Sequence, residues 1–241
     1  MRRFYIEQGV FGNEVSIAGQ EAHHIVNVLR MKPGDQLLVC DNSGKEYECE
    51  LVSVGESCLA KVLSCTETSS EPRLRITLYQ GIPKGDKMDG ILTRCTEIGV
   101  AAFVPVMSPR SVVRLAQKEA AAKRERYARI VQAACKQCGR ALIPEVAQPI
   151  RSEAIQVSKH QLFIVCYEGE LSRGLREMVE NTPFSDIGLY IGPEGGLELA
   201  EAERLCAAGA LTVSLGRRIL RTETAGCTAA ALILGYNGEM G

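Results

Sequence analysis

Short apolar runs alternate with turn-forming residues over the first 72 positions, which is the pattern of a small β-rich domain. The turns are Pro-Gly-Asp at 33–35, Asp-Asn-Ser-Gly at 41–44 and Val-Gly-Glu at 54–56. One amphipathic helix, predicted over residues 20–30, interrupts the strands. The pattern therefore predicts a small β-barrel with a single helix. The predicted strands are residues 4–6, 36–40, 47–54 and 58–63.

The pattern changes after a polar stretch at residues 64–72, which we interpret as a linker. Beyond it, strands of the fully buried type alternate with helices, which predicts a mainly parallel α/β sheet with helices on both faces. Ligands of such sheets bind at the carboxyl ends of the strands, so the loops after Ile191 and Leu215 are candidate sites. We expect two domains, residues 1–72 and 73–241. The predicted strands are residues 74–81, 103–107, 162–166, 187–191 and 211–215, and the predicted helices are residues 86–99, 172–180, 197–208 and 224–236 and a long helix ending near 139.

The composition is that of a globular protein, with 46% hydrophobic and 24% charged residues in a chain of 241. These values argue against a disordered chain, a collagen and a coiled coil. No apolar run reaches the ~18 residues that a membrane helix needs, and residues 1–5 lack the apolar core of a signal peptide. We therefore expect a cytoplasmic protein without a membrane span.

Ten cysteines in a chain of this length indicate reduced intracellular thiols rather than a disulfide framework. Cys135 and Cys138 have a CxxC spacing, but neither a second such pair nor a nearby histidine completes a metal set. The segment between them has helical periodicity, which places both side chains on one face. We interpret them as small core residues and expect no metal, with a zinc site or a redox pair as the less favoured alternative.

The formal net charge of −1 hides a segregation of charge along the chain. Residues 1–72 contain six basic and eleven acidic side chains, a net charge of −5, whereas residues 73–241 carry +4. Residues 110–140 alone have nine basic side chains against two acidic ones. Three further arginines lie in a predicted loop, where fixed positive charge indicates a phosphate-rich ligand or partner. They are Arg217, Arg218 and Arg221.

Two loops of the second domain carry the strongest chemical signal. Residues 192–196, Gly-Pro-Glu-Gly-Gly, join a buried strand to a helix, and the glycines let backbone N–H groups approach a ligand closely. Their spacing fits neither the dinucleotide-binding GxGxxG motif nor the phosphate-binding P-loop. The second loop, residues 215–225, precedes a helix rich in small residues that Thr222 or Thr224 can cap.

Five segments occur together and in a characteristic order. They are Val28-Leu-Arg-Met-Lys-Pro-Gly-Asp35, Cys95-Thr-Glu-Ile-Gly-Val100, Cys135-Lys-Gln-Cys-Gly-Arg140, Ile191-Gly-Pro-Glu-Gly-Gly-Leu197 and Leu215-Gly-Arg-Arg-Ile-Leu-Arg-Thr-Glu-Thr-Ala225. In these segments the chain resembles the RsmE family of 16S ribosomal RNA uridine-N3 methyltransferases, within the SPOUT class of knotted S-adenosylmethionine enzymes. The resemblance spans nearly the whole chain, whereas the Gly-Pro-Glu-Gly-Gly loop alone indicates only the wider class.

The resemblance implies an N-terminal PUA-like β-barrel that binds RNA and a C-terminal SPOUT α/β domain whose end is threaded as a deep trefoil knot. It also implies a homodimer with the catalytic pocket near the subunit interface. The implied cofactor is S-adenosylmethionine, with residues 166–168 as weaker candidates for the rim of its site. The residues carried over to the cofactor site are Gly192, Pro193, Glu194, Gly195, Gly196, Leu215, Gly216, Ile219, Leu220, Thr222 and Thr224.

The implied substrate is 16S ribosomal RNA of the small ribosomal subunit, and N3 of uracil must lose its proton before it attacks a methyl group. A fixed cation stabilises the resulting uridinate, with Arg221 as the first choice and Arg140 as the second. The proton passes to Glu223 or to water, and Glu223 has the alternative interpretation of a structural carboxylate near a helix N-terminus. RNA contacts are expected from Arg2, Arg3, Arg30, Lys32, Arg110 and Lys136.

The sequence leaves two other functions open. The first is a SPOUT methyltransferase that acts on another RNA atom, such as a ribose 2′-hydroxyl. The second is a ribosome-assembly factor that binds RNA without catalysis, although the complete glycine and threonine loops argue against it. The position of the new methyl group tests the first alternative, and binding of S-adenosylmethionine tests the second.

Overall fold

The structure, a computed structural model, describes residues 1–6, 12–68, 70–111, 113–180 and 183–240. The chain divides into two units. The first consists of Met1–Glu71 together with Cys135–Ile143, a second segment that the sequence pattern does not assign to it. The second consists of Pro72–Ala134 and Pro144–Gly241.

A five-stranded mixed sheet forms the framework of the first unit. Its strands are β1 (Arg2–Tyr5), β2 (Glu14–Ile17), β3 (Gln36–Cys40), β4 (Lys45–Ser53) and β5 (Cys58–Glu67). They are ordered β1-β3-β4-β5-β2, with β1 parallel to β3 and the other neighbours antiparallel. Alternate side chains, such as Leu37 and Val39, point into one apolar core. The four predicted strands are confirmed, and β2 is an additional one.

Strand β5 extends four residues beyond its predicted end, so the linker prediction is wrong for residues 64–67. These residues continue the antiparallel ladder, with Tyr47 opposite Cys65 and Glu46 opposite Thr66. Most of their side chains are exposed, so the alternation that marks a half-buried strand is absent from the sequence. Ser69 of the predicted linker lies outside the described residues.

The helix of the first unit is shorter than predicted. It consists of α1 (Gly19–His23) and a continuing π-helical turn, His24–Val28. Ala22 and Ile25 are buried in the core of the sheet, which fixes this face of the helix. Arg30 has a φ of 53°, in the left-handed region where helices commonly end, and this conformation stops the helix before its predicted end.

The second unit is an α/β structure in which, among the described residues, all strand pairs are parallel. Its strands are β6 (Arg75–Gly81), β7 (Ala102–Met107), β8 (Glu145–Val146), β9 (Ile150–Arg151), β10 (Leu162–Cys166), β11 (Asp186–Ile191) and β12 (Leu211–Val213). The sheet order is β12-β10-β11-β6-β7-β8, and β9 also pairs with β7. The five predicted strands and the parallel arrangement are confirmed, whereas β8 and β9 were not expected from the pattern.

The helices follow the predicted alternation closely. They are α2 (Lys87–Ile98), α3 (Gln117–Cys138), α4 (Leu175–Val179), α5 (Leu199–Ala207) and α6 (Thr222–Tyr236), with short 3-10 turns at Ser152–Ala154 and Val157–Lys159. Helix α6 has Arg221 at its N-cap and no side-chain cap, so the prediction that Thr222 or Thr224 caps it is wrong. Its buried face is built from small residues such as Gly226 and Ala229, which permits close packing. No helix within the described parts of the chain is long and apolar enough to span a bilayer.

Candidate functional site

Four neighbouring parallel strands, β12, β10, β11 and β6, bring their carboxyl ends to one edge of the sheet. The segments that follow β10, β11 and β12 surround a cavity of about 660 Å³ at this edge. This volume lies within the range of small-molecule sites, roughly 300–1,000 Å³. The loops after Ile191 and Leu215, which the sequence pattern singles out, both line the cavity.

Most of the residues predicted to bind a cofactor line this cavity. They are Gly192, Pro193, Glu194, Gly195, Gly196, Leu215, Gly216, Ile219, Leu220 and Thr222. The predicted rim residues Cys166, Tyr167 and Glu168 also line it, as do Arg221 and Glu223. Thr224 is exposed and is not among the lining residues. The two loops therefore come together as the sequence predicts.

Two glycines, one in the turn after β11 and one at the end of β6, lie where added side chains meet neighbouring atoms. Gly196 has a φ of 68°, and a Cβ atom there would lie 2.1 Å from Oε1 of Glu168. Its N–H donates to the carbonyl of Pro193 at 2.9 Å, which closes the turn. Gly81, at the end of β6, is constrained by rigid backbone instead of a side-chain end, because a Cβ atom would lie 2.5 Å from the nitrogen of Pro193. Glycine is required where these segments approach one another.

Glu194 lines the cavity, and its carboxylate is hydrogen-bonded to residues that follow β6 in the chain. It accepts hydrogen bonds from the Lys84 backbone N–H at 3.1 Å and from Lys87 Nζ at 2.9 Å. Burial by itself raises the pKa of Glu194, but the Lys87 hydrogen bond and nearby backbone donors outweigh it and hold that pKa below its usual value. The carboxylate therefore remains ionised and braces the turn.

Thr222 is also braced by a residue that sequence reasoning missed. Its hydroxyl donates to the Gly192 carbonyl at 2.7 Å and accepts from Nε2 of Gln80 at 2.9 Å. Gln80 is completely buried on β6. A glutamine in a strand predicted to be buried was the available signal, because buried polar side chains are uncommon without a specific partner.

The two catalytic candidates at the N-terminus of α6 have different environments. Arg221 is exposed and lines the cavity, in the position expected of a cation that meets a ligand. Oε2 of Glu223 lies 4.0 Å from Lys87 Nζ, and the Glu223 carbonyl accepts a hydrogen bond from Arg94 at 3.1 Å. Ile219 is 88% exposed beside them, an unusual position for a large apolar side chain.

Arg140, the second catalytic candidate, belongs to the first unit and is 5% exposed. Its guanidinium pairs with Glu71 at 2.6 Å, and its carbonyl accepts a hydrogen bond from the Tyr5 hydroxyl at 2.5 Å. It is not among the residues that line the described cavity. These contacts give Arg140 a structural partner inside its own unit.

The residues predicted to contact RNA are distributed over both units. In the first unit Arg2, Arg30 and Lys32 are exposed, whereas Arg3 pairs with Glu46 and Lys136 with Glu21. In the second unit the exposed Arg110 donates to the Gly195 carbonyl at 2.9 Å, which connects it to the cavity turn. Among the described residues these exposed cations form no ion pair, so a phosphate can approach them without breaking one.

The cysteines are free thiols. Cys135 is fully buried and Cys138 is partly buried, which confirms their interpretation as packing residues of a helix. Burial raises the pKa of the Cys135 thiol to about 12, so it is protonated and unreactive at neutral pH. In the part of the chain that the structure describes, no group of three or more His, Cys, Asp or Glu side chains could hold a metal ion.

Comparison with known families and structures gives consistent matches. A family model described as an RNA methyltransferase domain matches residues 70–234, and one described as an RNA methyltransferase PUA domain matches residues 17–63. The chain is 41% identical to ribosomal RNA small subunit methyltransferase E of Bacillus subtilis, with 93% of each chain covered. It is 32% identical to the protein of that name from Synechocystis, over 91% of this chain and 72% of the relative.

A solved structure agrees with these relatives. The crystal structure of a ribosomal RNA small subunit methyltransferase E from Neisseria gonorrhoeae, bound to S-adenosylmethionine, has a TM-score of 0.82 and 34% identity. The superposition covers 98% of this chain and 97% of the other. A PUA-like unit followed by a SPOUT-type α/β methyltransferase unit is therefore the fold of this protein. The chain belongs to the ribosomal RNA small subunit methyltransferase E (RsmE) family.

Proposed function

We propose that this protein transfers the methyl group of S-adenosylmethionine to N3 of a uridine in 16S ribosomal RNA of the small ribosomal subunit, in the cytoplasm. The observation that carries the proposal is the cavity at the carboxyl ends of β10, β11 and β12. It brings the glycine turn and the arginine-containing loop together, although 18 residues separate Gly196 from Leu215 in the intervening chain. The relatives from Bacillus subtilis and Synechocystis are methyltransferases by name.

The lining of the cavity fits S-adenosylmethionine. Gly192, Gly195 and Gly196 line the cavity without side chains, so a ligand can approach their backbone closely. Ile219 and Leu220 offer apolar surface for a planar ring. When bound, the cofactor supplies an electrophilic methyl group on a sulfonium sulfur. The φ of 68° at Gly196 favours glycine in this turn, and the Glu168 carboxylate lies beside it.

The catalytic requirement is to favour the uridinate anion beside this methyl group. Arg221 is exposed on the cavity wall, where its guanidinium stabilises negative charge that develops on O2 or O4 of the base. Glu223 lies on the same wall and accepts the N3 proton, with water as the alternative acceptor. Arg140, fixed by Glu71, is the second choice for the cation. No step requires a metal ion.

RNA binding is assigned to both proposed domains, residues 1–72 and 73–241. Arg2, Arg30 and Lys32 supply exposed positive charge on the first, and Arg110 supplies it next to the cavity turn. Arg3 and Lys136 join them once their carboxylate partners are displaced. Such contacts give affinity without sequence preference, so the target is selected by RNA shape and by the flipped base. The resemblance further supports a homodimer and a trefoil knot.

The direct test is methyl transfer to small ribosomal subunits isolated from cells that lack the gene, followed by nucleoside analysis with mass spectrometry. We expect 3-methyluridine in 16S ribosomal RNA with the wild-type protein, and an initial rate of its formation about 10²–10³ lower with Arg221→Ala. A methyl group on ribose would replace the proposal by 2′-O methylation. If S-adenosylmethionine does not bind at all in calorimetry, the protein is an RNA-binding assembly factor instead.

A further inference from the structure

Gln80 is a completely buried amide next to the cavity, although its side chain does not line it. Its Nε2 donates two hydrogen bonds, to the Gly81 carbonyl at 3.1 Å and to Oγ1 of Thr222 at 2.9 Å. The first acceptor is a carbonyl and accepts only, so the amide nitrogen must face this side. Gln80 is therefore a donor toward Thr222.

This donor role fixes the direction of the Thr222 hydroxyl. A hydroxyl carries one proton, and a hydrogen bond accepted from Gln80 leaves that proton for the other neighbour. The other neighbour is the Gly192 carbonyl, 2.7 Å away. The chain of hydrogen bonds thus runs from β6 through the start of α6 to the first residue of the cavity turn.

The opposite end of the amide shows that packing alone does not explain Gln80. Its Oε1 is buried and has no hydrogen-bond partner among the residues that the structure describes. It faces Gly226, where a Cβ atom would lie 3.2 Å from it. An unpaired buried oxygen is costly, and an apolar side chain of the same shape would avoid that cost. The two hydrogen bonds that its nitrogen donates are what the amide contributes here.

We propose that Gln80 is a positioning residue for the methyl-donor cavity, because it orients the Thr222 hydroxyl and through it anchors Gly192 at the start of the cavity turn. The inference rests on the proposed function of this cavity. It also excludes the Thr222 hydroxyl as a hydrogen-bond donor to the cofactor, since its one proton is used by Gly192. Gln80 acts on the shape of the site without touching the reacting atoms.

Four variants test the hydrogen-bond direction. Gln80→Met keeps the volume and removes the donor, whereas Gln80→Glu keeps the shape but cannot donate to both Gly81 and Thr222 in either protonation state. Thr222→Val removes the hydroxyl, and Thr222→Ser is the matched control that keeps it. For each we would measure the Kd of S-adenosylmethionine by calorimetry, kcat and KM for methyl transfer, and the thermal unfolding midpoint.

We expect Gln80→Glu and Thr222→Val to raise the Kd and KM for S-adenosylmethionine on the order of tenfold, with a smaller change in kcat. Gln80→Met should raise them less while keeping or increasing the thermal midpoint, because it removes the unpaired oxygen. Thr222→Ser should bind S-adenosylmethionine more tightly than Thr222→Val, because it keeps the hydroxyl. The double variant of Gln80→Glu and Thr222→Val should bind no more weakly than Thr222→Val alone, since both act on one hydrogen-bond chain.

Two results would overturn the positioning role. One is wild-type affinity in Gln80→Glu or Thr222→Val, and the other is a loss of affinity in Gln80→Met that simply follows a loss of thermal stability. If the Gln80 variants fail to fold, Thr222→Val and Thr222→Ser still test the proposal. Equal affinity of these two variants for S-adenosylmethionine would show that the Thr222 hydroxyl does not position the cavity turn. Failure of the wild-type protein to bind S-adenosylmethionine would refute the proposed function instead.

Discussion

Arg140→Met is the substitution that separates a structural from a catalytic role for this arginine. The guanidinium of Arg140 donates to both oxygens of Glu71, at distances between 2.6 and 3.3 Å. The same carboxylate accepts the backbone N–H groups of Ala141 and Leu142, each at 3.2 Å. The pair therefore holds residues 135–143 to the rest of the first unit.

The loss of stability expected in Arg140→Met follows from the burial of Arg140 and Glu71. Removing one partner of a buried ion pair costs about 3–5 kcal/mol, because the other charge is left uncompensated. Glu71 is 13% exposed and keeps its two backbone donors, so we expect the lower end, about 3 kcal/mol. This is a large part of a total stability on the order of 5–15 kcal/mol.

The assay is urea unfolding followed by circular dichroism, with methyl transfer measured on the folded protein. Arg2→Met is the matched control, since Arg2 is an exposed cation of the same unit and should change stability by less than about 0.5 kcal/mol. If Arg140 is structural, Arg140→Met loses much of its stability but keeps near-normal turnover per folded molecule. Unchanged stability with abolished turnover would refute it and favour the catalytic role that the sequence suggests.

Three further predictions concern the cavity and the RNA surface. Arg221→Ala should keep the affinity for S-adenosylmethionine and lower kcat by about 10²–10³, so a collapse of cofactor binding in calorimetry would contradict its role. Gly81→Ala should lower the free energy of unfolding by about 1–3 kcal/mol and weaken cofactor binding, because its Cβ would meet Pro193. The control is Gly235→Ala in α6, where a Cβ meets nothing within 4 Å, and it should be neutral or stabilising in thermal unfolding. Arg30→Gly should relieve the strain of a left-handed backbone conformation and leave the stability nearly constant. It should reduce RNA affinity in filter binding, and unchanged affinity would exclude Arg30 from the RNA interface.

The parallel sheet could be predicted because its strands are buried on both faces and read as continuous apolar runs. The residues from Leu162 to Cys166 and from Ile187 to Ile191 are of this kind, and the structure places strands there. The glycine turn could be predicted because Gly196 needs a conformation and a clearance that other residues lack. These features are local, so the sequence shows them directly.

Features that depend on long-range contacts could not be predicted in this way. The end of β5 carries no alternation because both of its faces are exposed, and the segment 135–143 belongs to the first unit through Glu71 and Tyr5. The role of Gln80 requires knowing that Thr222, 142 residues away, lies beside it. The expected N-cap at Thr222 is absent because its hydroxyl bonds to Gly192 instead. The knot stays a prediction from the family resemblance.

The proposed function requires that the cavity at the carboxyl ends of β10, β11 and β12 holds the methyl donor. A crystal structure of the protein grown with S-adenosylmethionine tests it most directly. We expect the cofactor to lie between the turn at residues 192–196 and the loop at residues 214–222, with Arg221 on the side open to the base. Density for the cofactor at any other place on an active protein would contradict it.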